Sequence, residues 1–81
     1  MPCVYILKSL RYPKTYVGST LNLTRRLQEH NQNQSLFTKR YVPWKVIYKE
    51  EMTDISEARK REKYFKSLIG RRLIKKILNN N

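Results

Sequence analysis

The chain has 81 residues, and 18 lysines and arginines against six aspartates and glutamates give it a formal charge of +12. A chain of this length supports one modest core, so we predict a single domain over residues 1–81. The charge exceeds what solubility requires and favours a polyanionic partner, with nucleic acid the first expectation. The single cysteine, Cys3, excludes an internal disulfide and a multi-cysteine zinc site.

We expect no secretion or membrane signal in this sequence. The apolar run at residues 3 to 7 is too short for a signal-peptide core or a membrane span. The basic segments also lack the one-sided Trp and Phe face of a membrane-surface helix. We therefore expect a soluble, intracellular, cytoplasmic protein with no membrane partner.

The predicted elements begin with a β-hairpin and a helix. Residues 3 to 8 and 15 to 18 are rich in β-branched and aromatic side chains, with a turn between them, and this pattern predicts two paired strands. Asn22 is a suitable cap for a first helix that ends near His30. A basic and aromatic loop follows and ends at Pro43.

A third strand is predicted in the middle of the chain. Residues 45 to 50 alternate in a way that places Val46 and Tyr48 on one face and Ile47 on the other.

Two further helices complete the chain. Asp54 and Glu57 resemble a capping box that begins the second helix, and Gly70 is the predicted end of that helix. The last helix is predicted over residues 71 to 78, with its apolar side inward. The predicted element order is β-β-α-β-α-α.

Two of the predicted helices carry charged side chains on otherwise apolar faces. The helix-spaced positions 55, 58, 62, 65 and 69 are apolar except for Glu62. In the first helix, Arg26 and His30 lie four residues apart on a face that also holds two leucines. Buried charge is costly unless it is paired, so we predict that these three residues share one polar pocket. The structural alternatives are a salt bridge between Glu62 and Arg26 and a core role for His30.

The basic residues are concentrated towards the carboxyl end. Nine of the eighteen lie between Arg59 and Lys76, where Glu62 is the only acid. Each exposed one adds a salt-sensitive phosphate contact if nucleic acid lies alongside, although plain solvation is the simpler account of any single lysine. The basic residues predicted to bind nucleic acid, in this segment and in the central loop, are Lys39, Arg40, Arg59, Lys63, Lys66, Arg71, Arg72 and Lys75.

Several short motifs resemble, in their order, those of a GIY-YIG nuclease domain. The chain has Cys3-Val4-Tyr5, then Tyr16-Val17-Gly18-Ser19 after ten residues, then Arg26, His30 and finally Glu62. The resemblance spans nearly the whole chain and is strongest to small stand-alone members, which are similar to the nuclease domain of the bacterial excision-repair incision subunit. It implies an α+β fold in which about three helices flank a small three-stranded antiparallel sheet.

The resemblance also implies a metal-dependent endonuclease that hydrolyses phosphodiester bonds in DNA on the exposed face of its sheet. Glu62 would hold one divalent ion, Mg²⁺ or Mn²⁺, and Arg26 would offset charge on the phosphate. Tyr5 and Tyr16 would orient the attacking water, and one of them would act as general base. His30 would relay a proton or hydrogen-bond a tyrosine.

The second motif carries one further expectation and one departure from the family pattern. Gly18 would let the phosphate backbone approach closely, where a side chain would block it. Ser19 stands where the excision-repair relatives have a lysine.

With no separate recognition domain in view, we expect cleavage to depend on the structure of the nucleic acid or on a protein partner that supplies specificity. The expected role is in DNA repair or recombination, with DNA favoured over RNA. One alternative is a catalytically silent module that binds DNA or RNA without a metal. Another is an RNA-associated protein, which would need exposed stacking side chains at Phe37, Tyr41 and Trp44.

Overall fold

The computed structural model describes residues 1–32 and 35–80, and within them three strands and three α-helices follow the predicted order. A 3-10 turn at Thr38–Tyr41 lies in the loop between the first helix and the third strand. The α+β prediction is therefore confirmed. The elements are β1 (Cys3–Ser9), β2 (Thr15–Thr20), α1 (Leu23–Asn31), β3 (Trp44–Glu51), α2 (Ile55–Lys66) and α3 (Leu68–Asn79).

The sheet is antiparallel, in the order β2-β1-β3, so β1 is central and β2 is an edge strand. Every residue from Cys3 to Leu7 is at most 2% exposed. One face of the sheet packs against Phe65 of α2 and Ile74 of α3, and Leu27 of α1 packs on the other. The expectation of an exposed sheet face is wrong, because helices cover both faces of the central strand. A functional site must lie at an edge or an end of the sheet.

The side chains of β3 do not alternate as predicted. Ile6 of β1 is paired with Tyr48, whereas the next residue, Leu7, is paired with Val46, so Ile47 is the extra residue of a β-bulge. Ile47 and Tyr48 therefore pack on the same side of the sheet, and Val46 packs on the opposite side. The prediction that Val46 and Tyr48 share a face is wrong, because strict alternation holds only in a strand without a bulge.

Polar caps begin the first two helices as predicted. The side-chain oxygen of Asn22 accepts a hydrogen bond from the backbone N–H of Arg25 at 3.1 Å. Asp54 accepts one in the same way from the backbone N–H of Glu57 at 3.0 Å. Each cap satisfies a backbone donor that has no partner within its helix.

The boundary between α2 and α3 lies at Ser67, three residues before the predicted one. Ser67 is the cap between the two helices, and its hydroxyl accepts a hydrogen bond from the backbone N–H of Gly70 at 3.2 Å. Gly70 lies in the first turn of α3, where a Cβ would overlap the backbone of Tyr64 and Phe65. Because Gly70 has no side chain, α2 and α3 can pack closely at this position. Gly70 does not end a helix. Ile69 is 65% exposed, so its predicted place on the buried face is wrong.

The orientation of α3 agrees with the prediction. Its apolar side chains pack against the core, and its basic side chains are exposed. Within the described residues, none of the helices combines the length and the hydropathy that a membrane crossing requires. The inward residues of α3 are Leu73, Ile74, Ile77 and Leu78.

Replacement of Gly70 by alanine tests the close approach of α2 and α3. In an ordinary helix interior this change stabilises by up to about 1 kcal/mol. Here the added Cβ would overlap backbone atoms. We expect the free energy of unfolding to fall by about 1–3 kcal/mol in urea denaturation. The control is Leu68→Ala, at a position 70% exposed, which should change that energy by less than about 0.5 kcal/mol. A Gly70→Ala variant more stable than the wild type would contradict this packing.

Candidate active site

Tyr5 lies at the centre of the predicted site residues. Its side chain is 1% exposed, and its hydroxyl oxygen lies 2.9 Å from Nε2 of His30, which is itself fully buried. The other ring nitrogen of His30, Nδ1, lies 2.8 Å from the hydroxyl of Thr38 in the turn after α1. Both imidazole nitrogens are therefore hydrogen-bonded, and the position of the ring is tied to Tyr5 and Thr38.

Gly18 of β2 is directly paired with Tyr5 across the antiparallel ladder. A Cβ at position 18 would lie 2.5 Å from the Tyr5 hydroxyl oxygen and 3.0 Å from Cε2 of Tyr16. The two tyrosine rings thus occupy the space that a side chain would need. Packing against the two tyrosine rings therefore requires glycine at position 18, a requirement that the sequence did not indicate. The close approach of a phosphate backbone to Gly18 stays a prediction.

Tyr16 is the more accessible of the two tyrosines, because it lies on the edge strand and is only partly buried. Its ring centroid lies 6.3 Å from that of Tyr5 and 4.9 Å from that of His30. It also stacks on Phe37, with the two planes 28° apart. The Tyr16 hydroxyl makes no hydrogen bond to any other described residue. That phenol is therefore available to a water molecule.

Arg26 projects from α1 towards the same pocket and also pairs with an acid of its own helix. Its Nη1 lies 3.0 Å from Oε1 of Glu29. The two side chains meet because residues three apart are neighbours on a helix surface. The guanidinium is close enough to the Tyr5 hydroxyl to oppose the rise in the pKa of that group.

Glu62 occupies the α2 side of β2 and has a partner on each carboxylate oxygen. Ser19 Oγ donates to Oε1 at 2.6 Å, and Lys66 Nζ donates to Oε2 at 2.7 Å. The Glu62 side chain is 22% exposed. Its ion-pair partner is Lys66, so the alternative of a structural salt bridge with Arg26 is not observed.

Burial changes the proton affinity of two residues in the pocket. Burial, reinforced by Tyr16, raises the pKa of Tyr5 above its ordinary value of 10, although Arg26 acts in the opposite direction. Burial and then the charge of Arg26 lower the pKa of His30 from 6.5 to about 4. At neutral pH, Tyr5 is therefore protonated and His30 uncharged.

The five predicted catalytic residues meet around Gly18 at the outer edge of the sheet. Tyr5, Tyr16 and His30 lie on the α1 side, and Glu62 reaches β2 from the α2 side through Ser19. The pKa of Tyr5 responds to both Arg26 and Glu62, which places both charges within electrostatic reach of one hydroxyl. The structure thus brings the predicted residues together across an edge strand.

A surface pocket of about 490 Å³ opens beside Glu62. Glu62 is the only acidic residue among the described residues of its lining, which otherwise combines Ser19 with basic side chains of α2. Such a pocket favours an anionic group such as a phosphate and holds one carboxylate for a cation. The basic residues that line it are Arg59, Lys60, Lys63 and Lys66.

All eight basic residues that were predicted to bind nucleic acid are exposed. Exposure is necessary for such contacts, and the binding itself stays a prediction. Lys66 has a further contact that the prediction did not include, its ion pair with Glu62.

The contacts of Glu62 bear on how a divalent cation would bind there. The ammonium group of Lys66 already places positive charge on Oε2. Within the described residues, no group of three or more His, Cys, Asp and Glu side chains could hold a metal ion. A cation at Glu62 would have this one carboxylate and would need water and phosphate oxygens as its other ligands, as Mg²⁺ commonly does.

Three partners of Glu62 and His30 were missed from the sequence. The i, i+4 spacing of Glu62 and Lys66 could have indicated their ion pair. Ser19 directly follows the motif glycine, but only the fold shows that it meets α2. Thr38 carries no local signal, because its contact with His30 depends on the course of the loop.

The candidate stacking side chains differ in exposure. Trp44 is 3% exposed, and its Nε1 donates a hydrogen bond to the carbonyl oxygen of Thr38 at 2.8 Å. Phe37 is 46% exposed, and Tyr41 is partly buried. The burial of Trp44 counts against the RNA-associated alternative, which needed this ring at the surface.

Comparison with known proteins identifies the family. A UPF0213 protein of Desulfotalea psychrophila is 40% identical over 55 residues, which are 65% of this chain and 50% of that relative, so the match spans about half of the relative's length. No solved structure matches the chain. The sequence matches the GIY-YIG catalytic domain over residues 1–76, a range that contains every predicted catalytic residue. The chain therefore belongs to the GIY-YIG catalytic domain family.

Proposed function

We propose that the chain is an endonuclease that hydrolyses phosphodiester bonds in DNA and uses one divalent ion, Mg²⁺ or Mn²⁺, held by Glu62. The observation that carries this proposal is the position of Glu62. Its carboxylate lies in a basic pocket, is oriented by Ser19, and is within electrostatic reach of the Tyr5 hydroxyl. Membership in a family of catalytic domains supports the same reaction.

The residues around Glu62 have separate roles in this proposal. A divalent ion at Glu62 would supply Lewis-acid stabilisation of charge on the scissile phosphate and the leaving oxygen. Ser19 holds Oε1 and so orients the carboxylate. Lys66 would give up its contact with Oε2 to a cation bound there, and its ammonium group would then be free to contact a phosphate oxygen.

Arg26 is the proposed partner of the non-bridging phosphate oxygens. Its planar guanidinium presents several donors in a fixed arrangement that matches a phosphate group. The ion pair with Glu29 holds one edge of the guanidinium. The side chain remains 33% exposed, so a phosphate can approach it.

Tyr16 is the better candidate for the general base. Tyr5 retains its proton because its pKa is raised, and its hydroxyl is already hydrogen-bonded to His30. Tyr16 is partly exposed, and its hydroxyl has no hydrogen-bond partner among the described residues. Once it has given up its own proton to solvent, its phenolate oxygen can accept a proton from the attacking water. In this scheme Tyr5 and His30 position the ring of Tyr16 and the water.

Structure-directed cleavage in DNA repair or recombination is the proposed physiological role. The charge of +12 supports affinity for nucleic acid, but contacts with phosphate carry no sequence information. A protein partner that brings the chain to its substrate is therefore part of the proposal.

Glu62→Gln should lower metal-dependent cleavage by at least about 100-fold and leave DNA binding intact. Glutamine keeps an oxygen for the hydrogen bond from Ser19 but has no charge for a cation. The measurement is cleavage of labelled duplex, single-stranded, flapped and nicked DNA with Mg²⁺, Mn²⁺ or EDTA. The control is Glu57→Gln, an exposed carboxylate of the same helix, which should cut as the wild type does. Wild-type protein that binds DNA equally well in EDTA and never cuts would favour the silent binding module.

Lys66→Met should bind Mn²⁺ about two- to fivefold more tightly than the wild type, because it removes the ammonium group that occupies Oε2 of Glu62. The measurement is a titration of free Mn²⁺ by electron paramagnetic resonance without DNA. Lys63→Met removes a charge from the same pocket but no described contact with Glu62, and it serves as the control. Equal Mn²⁺ affinities of the two variants would contradict the displacement of Lys66.

His30 should titrate near pH 4, and because the chain has one histidine, its imidazole can be followed directly by NMR. A histidine whose pKa is lowered on folding binds more protons when unfolded, so the stability that it contributes is lost as the pH falls. We expect the free energy of unfolding to decrease by about 1–2 kcal/mol between pH 6.5 and about pH 5. A midpoint near 6.5 would contradict the burial of a neutral ring.

A further inference from the structure

A second cavity, of about 620 Å³, lies along the outer edge of β2. Its lining comes from β2, from the segment before the 3-10 turn, and from α2 and α3. Most of the lining is apolar and includes three aromatic rings from different parts of the chain. The residues that matter for its chemistry are Tyr16, Val17, Phe37, Phe65 and Leu78.

Phe37 is the unusual member of this lining, because a large aromatic side chain is 46% exposed at the mouth of the cavity. Its ring stacks on Tyr16, with centroids 6.1 Å apart, and lies 5.3 Å from the ring of Tyr41. Aromatic neighbours thus hold the ring in place although part of it faces solvent. A held and partly exposed ring offers a stacking surface to another planar group.

The rim of the cavity is positively charged. Lys66, Arg71 and Lys75 line it, and all three are exposed. No acidic residue belongs to the described lining. An apolar interior with a cationic rim suits a ligand that is flat and apolar at one end and anionic at the other, as a nucleotide is.

The cavity adjoins the candidate active site. Lys66 lines both this cavity and the pocket at Glu62, and Tyr16 belongs both to this cavity and to the tyrosine pair. A nucleic-acid strand with a phosphate at Glu62 would therefore pass the mouth of the cavity. A bound acidic peptide would explain the basic rim but not the side chains that the two sites share.

We propose that this cavity binds one unpaired nucleobase of the strand whose phosphate lies at Glu62. The inference rests on the proposed function for the position of that phosphate. A base inside a duplex is stacked on both faces and paired at its edge, so it must leave the helix before it can enter such a cavity. The cavity would therefore favour the strand at positions where a base is unpaired.

The test measures binding in EDTA, so it needs no cleavage. The probes are a labelled abasic deoxyribose phosphate oligomer and the same oligomer with one thymine. We expect the wild type to bind the thymine-bearing oligomer about tenfold more tightly. Phe37→Ala should reduce this ratio to about one, and Phe37→Tyr should retain it. The matched control is Leu36→Ala, the 82% exposed neighbour that does not line the cavity, which should also retain it.

A second variant addresses the case in which Phe37→Ala disturbs Tyr16. Thr15→Phe places a larger side chain into the cavity from β2, where an aromatic residue suits a strand. This variant should also lose the preference for the thymine-bearing oligomer, with the affinity for the abasic oligomer unchanged.

The outcomes separate this inference from the proposed function. No preference of the wild type for thymine, or a preference that persists in both Phe37→Ala and Thr15→Phe, would overturn the inference and leave the cavity to an acidic peptide or a second copy of the chain. DNA cleavage without base-dependent binding would overturn the inference alone. Base-dependent binding without any metal-dependent cleavage would overturn the proposed function alone.

Discussion

The hydroxyl of Tyr5 needs a hydrogen-bond partner, because it lies in a strand that is buried on both faces. Much of the arrangement of the site follows from this requirement. A buried hydroxyl without a partner costs about 1–3 kcal/mol, and the partner here is His30. That hydrogen bond requires α1 to lie over β1, and it extends through the imidazole to Thr38 in the following turn. The ring of Tyr5 also covers Gly18, which has no side chain to oppose it. One polar group thus joins the sheet, α1 and the loop.

The site is divided between the two sides of the edge strand β2. This division keeps the opposite charges of Arg26 and Glu62 from forming an ion pair with each other. Arg26 and Glu62 approach from opposite sides of β2, and each has a closer partner of its own, Glu29 and Lys66 respectively. Both remain within electrostatic reach of Tyr5. A direct ion pair between them would leave neither charge for a substrate or a cation, whereas half-exposed helical pairs are weak and easily exchanged.

The basic surface has an internal organisation that its total charge does not reveal. Two cavities of different character share Lys66: a charged one at Glu62 and an apolar one beside Phe37. Non-specific attraction to phosphate operates at every exposed lysine and arginine, so it cannot select a position on a strand. Selection needs shape and apolar contact, and the β2 edge provides both next to the carboxylate.

The sequence by itself determined the element order, the caps at Asn22 and Asp54, and the order of motifs that marks the family. These features depend on local patterns, since hydrophobic period and capping chemistry act within a few residues. Tertiary structure decided the bulge at Ile47, the helix boundary at Ser67 instead of Gly70, and the meeting of Ser19 with Glu62. Each of these three features depends on a residue that is close in space. Strand register or the approach of another element brings that residue near, and the local sequence pattern does not specify it.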